Sequence, residues 1–282
     1  MNPVFNKHLV FQSDFGVADG AVAAMTGVVV SVDDTLRMHH LTHDIPPYDI
    51  YLGSYRLYQT YSYWPAGTIF VSIVDPGVGF SQKSLVVELN TGQFVVTPDN
   101  GTISHLKRYV GIKRIFEIDK QQNLLPSTNK SYTFYGRDLY AYTAARLSSG
   151  KISLENVGPE LAIDDLKLFD IPEPTIKENS IEGHVAIHDE RYGSLWTNIP
   201  YDTFDQWDAS QAKVRIRILK EEQLMYENEL PVGQSFHDVN LNQAILYANS
   251  LQNVGVALNQ NSFSKAFNIG YGFNWKIILE KI

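Results

Sequence analysis

The apolar run from Gly67 to Val74 constrains this chain most, because it ends directly on Asp75-Pro76-Gly77-Val78-Gly79. A charge-free run of that length, rich in β-branched residues and followed by a tight turn, reads as a buried central strand. Such a strand delivers a carboxylate into the turn, and in α/β folds ligands gather at the carboxyl ends of strands.

The surrounding segments fit that frame. Residues 8–12 read as a first strand leading to Asp14, and 18–32 as a helix with Asp19 in its first turn, where the macrodipole favours an acid. Residues 35–41 are strand-like, 48–63 are helical up to Trp64-Pro65, 84–89 and 94–97 are strands, and 138–147 is a helix. Strands alternating with helices predict an α/β domain with a mainly parallel, layered sheet. A polar, proline-bearing stretch over 169–180 lacks periodicity and marks a linker. Beyond it, 182–188, 193–199, 212–220, 222–230 and 254–258 read as short strands of a smaller all-β, barrel-like or sandwich domain. The expected division is 1–172 and 173–282.

Composition narrows the function. At 282 residues and 44% hydrophobic, the chain has material for a large core, and its net charge of −8 argues against nucleic acid as a partner. There is no cysteine, hence no thiolate nucleophile and no thiolate metal site. The N-terminus lacks a basic n-region followed by an apolar stretch, and no apolar run reaches the ~20 residues that span a bilayer. The expectation is a soluble cytoplasmic protein with no membrane partner. His39, His40 and His43 lie on a strand and its exit, where alternation separates neighbours, so no metal site is expected.

Asp14 has two readings. Its two carboxylate oxygens suit a ribose cis-diol, and its place after a strand equally suits a cap for the next helix. Asp19 carries the same helix-start alternative. Tyr48 follows Pro46-Pro47, which stiffen the approach to it and suit a fixed platform, although an ordinary buried aromatic would look the same in sequence.

Taken in order, four segments resemble the family of S-adenosylmethionine (SAM) hydroxide adenosyltransferases, relatives of the fluorinase and chlorinase. They are Ser13-Asp14-Phe15-Gly16 with Asp19-Gly20, the Asp75 turn, Thr133-Phe134-Tyr135-Gly136-Arg137-Asp138, and Asp189 with Tyr192-Gly193-Ser194-Leu195-Trp196-Thr197-Asn198-Ile199. Trp64-Pro65-Ala66-Gly67-Thr68 and Pro98-Asp99-Asn100-Gly101 extend the likeness, which runs from Asp14 to about Asn259.

The resemblance implies a SAM substrate, no separate cofactor, and a homotrimer whose sites lie between one subunit's first domain and a neighbour's second. It implies that Asp14 binds the ribose, that Tyr48 stacks on the nucleoside, and that Asp19 lies near the methionine end. Asp189 would hold the ligand's amino group and Tyr192 face the adenine. Ser194 stands where most relatives carry an asparagine for the purine edge. Asn249-Ser250 and Asn259-Gln260 resemble the segment binding the methionine carboxylate and the adenine edge, although a plain surface reading suits such short polar patterns too. In the hydrolysing members an aspartate, an arginine and a histidine present the attacking water. Asp75 matches the aspartate, while Gln82 and Tyr135 occupy the other two positions. Lys83 adjoins Gln82, but alternation turns it to the opposite face. Arg137 and Asp138 read as structural, a guanidinium tying down a carboxylate at the start of a helix.

The implied reaction is hydrolysis of SAM to adenosine and methionine, slowed or altered by the departures at 82 and 135. Two alternatives stand beside it: a protein that binds SAM or adenosine without turnover, and a halogenase. Tyr135-Gly136 resembles the chlorinase, but the halogenases replace the acid at position 75, because a carboxylate repels a halide.

Overall fold

Strand β3 (Ile69–Ile73) is buried at every position, and its alternate side chains enter two separate cores. Ile69, Val71 and Ile73 face one, and Phe70 the other. Each such side chain contributes about 1.5–3 kcal/mol on burial. The computed structural model describes residues 4–79, 81–126, 133–207 and 213–282. The chain divides into two compact units, Met1–Ile171 and Pro172–Ile282.

In the first unit, β1 (His8–Ser13), β2 (Arg37–Thr42), β3, β4 (Ser84–Leu89), β5 (Phe94–Pro98) and β6 (Ile112–Glu117) form one sheet in the order β2-β1-β3-β5-β4-β6. The pairs β2-β1, β1-β3 and β3-β5 are parallel, and β4 runs antiparallel to both of its neighbours. Helix α1 (Ala21–Val32) buries Met25, Val28, Val29 and Val32, one face at helical spacing. It starts later than residue 18, because the Asp19 carboxylate accepts the Ala21 N–H (2.9 Å) and stands outside the first turn. Helix α2 (Ile50–Thr60) is capped by Asp49, whose carboxylate accepts the Leu52 N–H (2.8 Å). Met25 and Val29 of α1 and Leu57 of α2 belong to different cores, so the two helices cover opposite faces. Short helices α3 (Ser104–Tyr109) and α4 (Lys120–Asn123) follow. The segment expected as one helix from Asp138 is a π-helical stretch, Gly136–Ala141, running into α5 (Tyr142–Ser148).

The chain leaves β1 toward β2 on one side and returns through β3 on the other. The strand order therefore reverses between β1 and β3, the switch point at which open α/β sheets leave a crevice.

The paired strands of the second unit are all antiparallel among the described residues. Strands β7 (Thr175–Ile176), β8 (Ser180–Asp189), β9 (Ser194–Pro200), β10 (Lys213–Lys220), β11 (Gln223–Pro231), β12 (Ala244–Ala248), β13 (Asn253–Leu258) and β14 (Trp275–Glu280) run β11-β10-β14-β8-β9-β13-β12, with β7 on β8. A bridge between Val232 and Leu246 brings the two end strands together, so the sheet nearly closes into a barrel around Ile181, Leu195, Ile216, Val256 and Ile277. Helices α6 (Tyr201–Trp207) and α7 (Phe263–Phe267) pack on it. Ala212, the expected start of one strand, lies outside the described residues, and β6, β7, β12 and β14 are additions to the predicted strands, β7 falling within the expected linker.

Candidate active site

Asp14 and Asp75 stand at the carboxyl ends of β1 and β3, strands paired in parallel with Ser13 opposite Ile73. Neighbouring strands lie about 4.8 Å apart, so both residues stand side by side at the switch point. Asp14 Oδ2 accepts the Tyr48 backbone N–H at 2.9 Å. That bond helps to hold Tyr48 at φ 73°, a left-handed conformation unfavourable for a tyrosine, with its ring 70% exposed. Strain of this kind persists where the surroundings fix it, here beside the Asp14 carboxylate.

Asp75 is more enclosed. Its Oδ2 accepts the Tyr140 hydroxyl at 3.3 Å, and its Oδ1 is buried without a hydrogen-bond partner among the described residues. Burial raises its pKa above the usual carboxylate range, and the Asp14 charge adds to this. The Tyr140 hydroxyl, the Gly77 N–H and the Lys120 ammonium oppose the rise. Asn100 Nδ2 donates to the Val74 carbonyl (2.7 Å), anchoring the Asp75 turn to the exit of β5.

Gln82 folds back over this turn. A Cβ on Gly77 would meet Gln82 Oε1 at 2.2 Å, so only glycine leaves room for the amide. Gln82 Nε2 is buried and has no partner among the described residues. Lys83 turns outward to Glu117 (3.8 Å), as alternation predicts. The cation on this side is Lys120, at the start of α4, whose ammonium donates to the carbonyls of Gly79 (3.0 Å) and Gln82. It lies 5.3 Å from the centre of the Tyr135 ring, which is itself 1% exposed. Burial lowers the Lys120 pKa, against the pull of Glu117 and Asp75. Gly136 lets the rings of Phe15 and Phe134 meet edge to face, since a Cβ there would lie 3.0 Å from Phe15. Arg137 binds Asp138 with two bonds (2.5 and 2.9 Å), which makes the expected carboxylate its own neighbour.

The histidines pair with one another. His8 Nδ1 lies 3.0 Å from His39 Nε2, and His43 bridges Ser13 Oγ (2.7 Å) and His40 Nδ1 (2.8 Å). Burial, with the neighbouring His40, lowers His43 to about 4, so it is neutral near pH 7. No group of three potential metal ligands occurs among the described residues.

In the second unit a cleft of about 470 Å³ is lined by Arg191, Tyr192, Ser194, Phe236, His237 and the Leu258–Ser262 segment. Tyr192, Ser194 and Gln260 thus come together. The turn carrying Tyr192 hangs from the Asp189 carbonyl, which accepts the Tyr192 and Gly193 N–H groups (3.1 and 2.6 Å). It is tied to α7 by Ser264 N–H donating to the Gly193 carbonyl (2.9 Å). Burial raises the pKa of the Tyr247 phenol, the Ser194 and Trp196 side chains oppose the rise, and the nearby Asp189 charge adds to it. Ser250 is elsewhere. It sits in the turn between β12 and β13, while Gln260 follows the far end of β13. Six residues of strand separate them by roughly 20 Å. Ser262, the cap of α7, lines the cleft, and Ser250 is not among its lining residues. The sequence reading also passed over Tyr140, Lys120, Phe236 and Tyr247. The Tyr247 alternation within β12 was a usable signal, whereas Lys120 sits in an unremarkable polar stretch.

The SAM hydroxide adenosyltransferase N-terminal domain matches residues 9–158, and the family's C-terminal domain matches residues 183–276. The chain is 31% identical to the (R)-S-adenosyl-L-methionine hydrolase of Methanocaldococcus jannaschii, over 73% of each chain. It is 24% identical to the fluorinase of Nocardia brasiliensis, over 95% of this chain and 96% of that one. Its structure matches the crystal structure of an uncharacterized conserved protein from Thermotoga maritima with a TM-score of 0.88 and 28% identity, covering 97% and 100% of the two chains.

Proposed function

The chain belongs to the SAM hydroxide adenosyltransferase family, and from that premise we propose that it hydrolyses SAM to adenosine and methionine. The observation that carries the reading is Asp75: a half-buried carboxylate whose Oδ1 has no hydrogen-bond partner among the described residues, at the end of the strand beside that of Asp14.

Asp75 Oδ1 accepts a proton from water as the water oxygen attacks C5′ from the side opposite sulfur. The C5′–S bond breaks, its electron pair stays on sulfur, and methionine leaves as a neutral thioether. The proton passes from Asp75 to solvent. Because the leaving group sheds a positive charge, its departure needs no acid. The protein supplies in-line geometry, one oriented water and exclusion of the rest. A raised Asp75 pKa makes the ionised carboxylate a stronger base while keeping less of it ionised in acid.

Asp14 takes the ribose hydroxyls through Oδ1, and Tyr48 stacks on the nucleoside. Tyr192, Ser194 and Gln260 take the adenine, while Asp19, Asp189 and Ser250 take the methionine part. We further propose a homotrimer in which the second unit of a neighbouring subunit completes each site. Light scattering that returned a monomer still binding SAM tightly would end that part.

The chain's likeness to fluorinases makes halide attack the competing reading, and the Asp75 charge counts against it. Turnover in ¹⁸O-water separates the two. Hydrolysis at C5′ places the label in the adenosine 5′-hydroxyl and is indifferent to chloride, whereas a 5′-chloronucleoside would overturn the proposal.

A further inference from the structure

Asp75 presents a problem the site must solve. A carboxylate removed from water favours its neutral form, yet only the ionised form accepts a proton. Positions 82 and 135 offer no cation, since one is an amide and the other a phenol.

Besides the Gly77 N–H and the Asp14 charge, two side chains outside those positions bear on the carboxylate. The Tyr140 hydroxyl reaches Asp75 Oδ2 at 3.3 Å and Ser84 Oγ at 3.1 Å. A phenol has a single proton, and an ionised carboxylate only accepts. With the Tyr140 proton directed to Asp75, the Ser84 hydroxyl must donate to the Tyr140 oxygen. Ser84 and Tyr140 are both buried, so bulk water does not compete for this chain of donors. It constrains Oδ2 and leaves Oδ1, which has no partner among the described residues, as the oxygen for a reactive water.

Lys120 acts from the other side. Its ammonium gathers the carbonyls of Gly79 and Gln82, which closes the segment following Asp75 around a positive charge. Asp75 and Lys120 each feel the other's charge. Among the described residues, the other titratable groups facing this pair are Asp14 at the end of β1, Glu117 at the end of β6, and the Tyr135 ring beside the ammonium.

We infer that Tyr140 and Lys120 are the positioning residues of Asp75: the Ser84–Tyr140 chain selects Oδ1 as the basic oxygen, and Lys120 holds the turn and the charge in place. The inference deepens the proposed hydrolysis, and its first test does not depend on turnover.

That test is a ¹³C-carboxylate titration of the full-length protein without ligand, with the Asp75 signal assigned through Asp75→Asn. Tyr140→Phe keeps the ring in the core and loses only the hydroxyl; Lys120→Met keeps the chain length and loses only the charge. Each is expected to move the Asp75 midpoint to higher pH, because each removes a group that favours the ionised form. Lys120→Arg is expected to return it toward the wild-type value, and Lys83→Met to leave it in place. An Asp75 midpoint unmoved by either substitution overturns the assignment for that residue. The kinetic arm then reads adenosine release. Tyr140→Phe should lower kcat roughly tenfold or more with KM unchanged, and shift the acid limb of the profile to higher pH. A fall in kcat without a shifted acid limb would mean a merely structural role. Wild-type protein that releases no adenosine would sink the hydrolase reading and leave the titration to judge this one.

Discussion

Replacing Asp14 tests the ribose assignment, and the structure sets the size of the effect. One of its oxygens, Oδ2, already accepts the Tyr48 N–H at 2.9 Å, and Oδ1 is the oxygen proposed for the ribose. Asp14→Ala therefore removes one principal charge-assisted hydrogen bond, worth about 1.5–3 kcal/mol, or roughly 10- to 150-fold in Kd. It also frees Tyr48 from its left-handed conformation, so part of the loss would reflect a disordered platform rather than a missing bond. A double-mutant cycle separates the two. Calorimetric titration of wild type and Asp14→Ala with adenosine and with 2′,3′-dideoxyadenosine isolates the energy shared by the carboxylate and the hydroxyls. A coupling of about 1.5–3 kcal/mol is expected. Coupling below about 0.5 kcal/mol would refute the ribose contact even if overall affinity fell, since additive losses mean that the groups do not meet.

Two further predictions concern stability. Asp138 is fully buried and bound twice by Arg137, so Asp138→Ala should cost about 3 kcal/mol and lower the melting temperature on the order of 10 °C; a drop within error would show the pair to be dispensable. Burial holds His184 at about 4, below its unfolded value near 6.5, so unfolding takes up a proton between those limits. Stability of the second unit should then fall by about 1.4 kcal/mol per pH unit as pH drops from about 6.5 to about 4. Urea unfolding near pH 7 and near pH 5 measures this, and a His184→Gln protein with undiminished pH dependence would contradict it. His43 acts likewise in the first unit, where the raised carboxyls of Asp75 and Asp99 oppose it.

Much of the fold was readable in the sequence because its central strands are apolar on both faces and bounded by turns. The run into Asp75 is the clearest case, since its two-sided burial identifies β3 and locates the carboxylate together. Strands β6 and β12 were missed because charge interrupts the first and an Asn-rich turn leads into the second. The Asp75 environment was harder to read. Lys120 reaches the 79–82 segment from about 40 residues away, and no local pattern announces such a contact. Tyr140 points at Asp75 from a π-helical stretch, a geometry that helical periodicity does not foresee. Ser250 and Gln260 look alike as polar doublets, and only the hairpin's direction puts one in the cleft and the other at its far end.

Chromatography of adenosine from SAM incubated with wild type and with Asp75→Asn, alongside a binding isotherm for each, tests the central claim most directly. The asparagine keeps the shape of the site and removes the base. The account predicts retained binding and adenosine release lowered by about 10²–10⁴-fold, the range of a positioned general base. Equal release by both proteins would contradict it, since water would then be activated without Asp75.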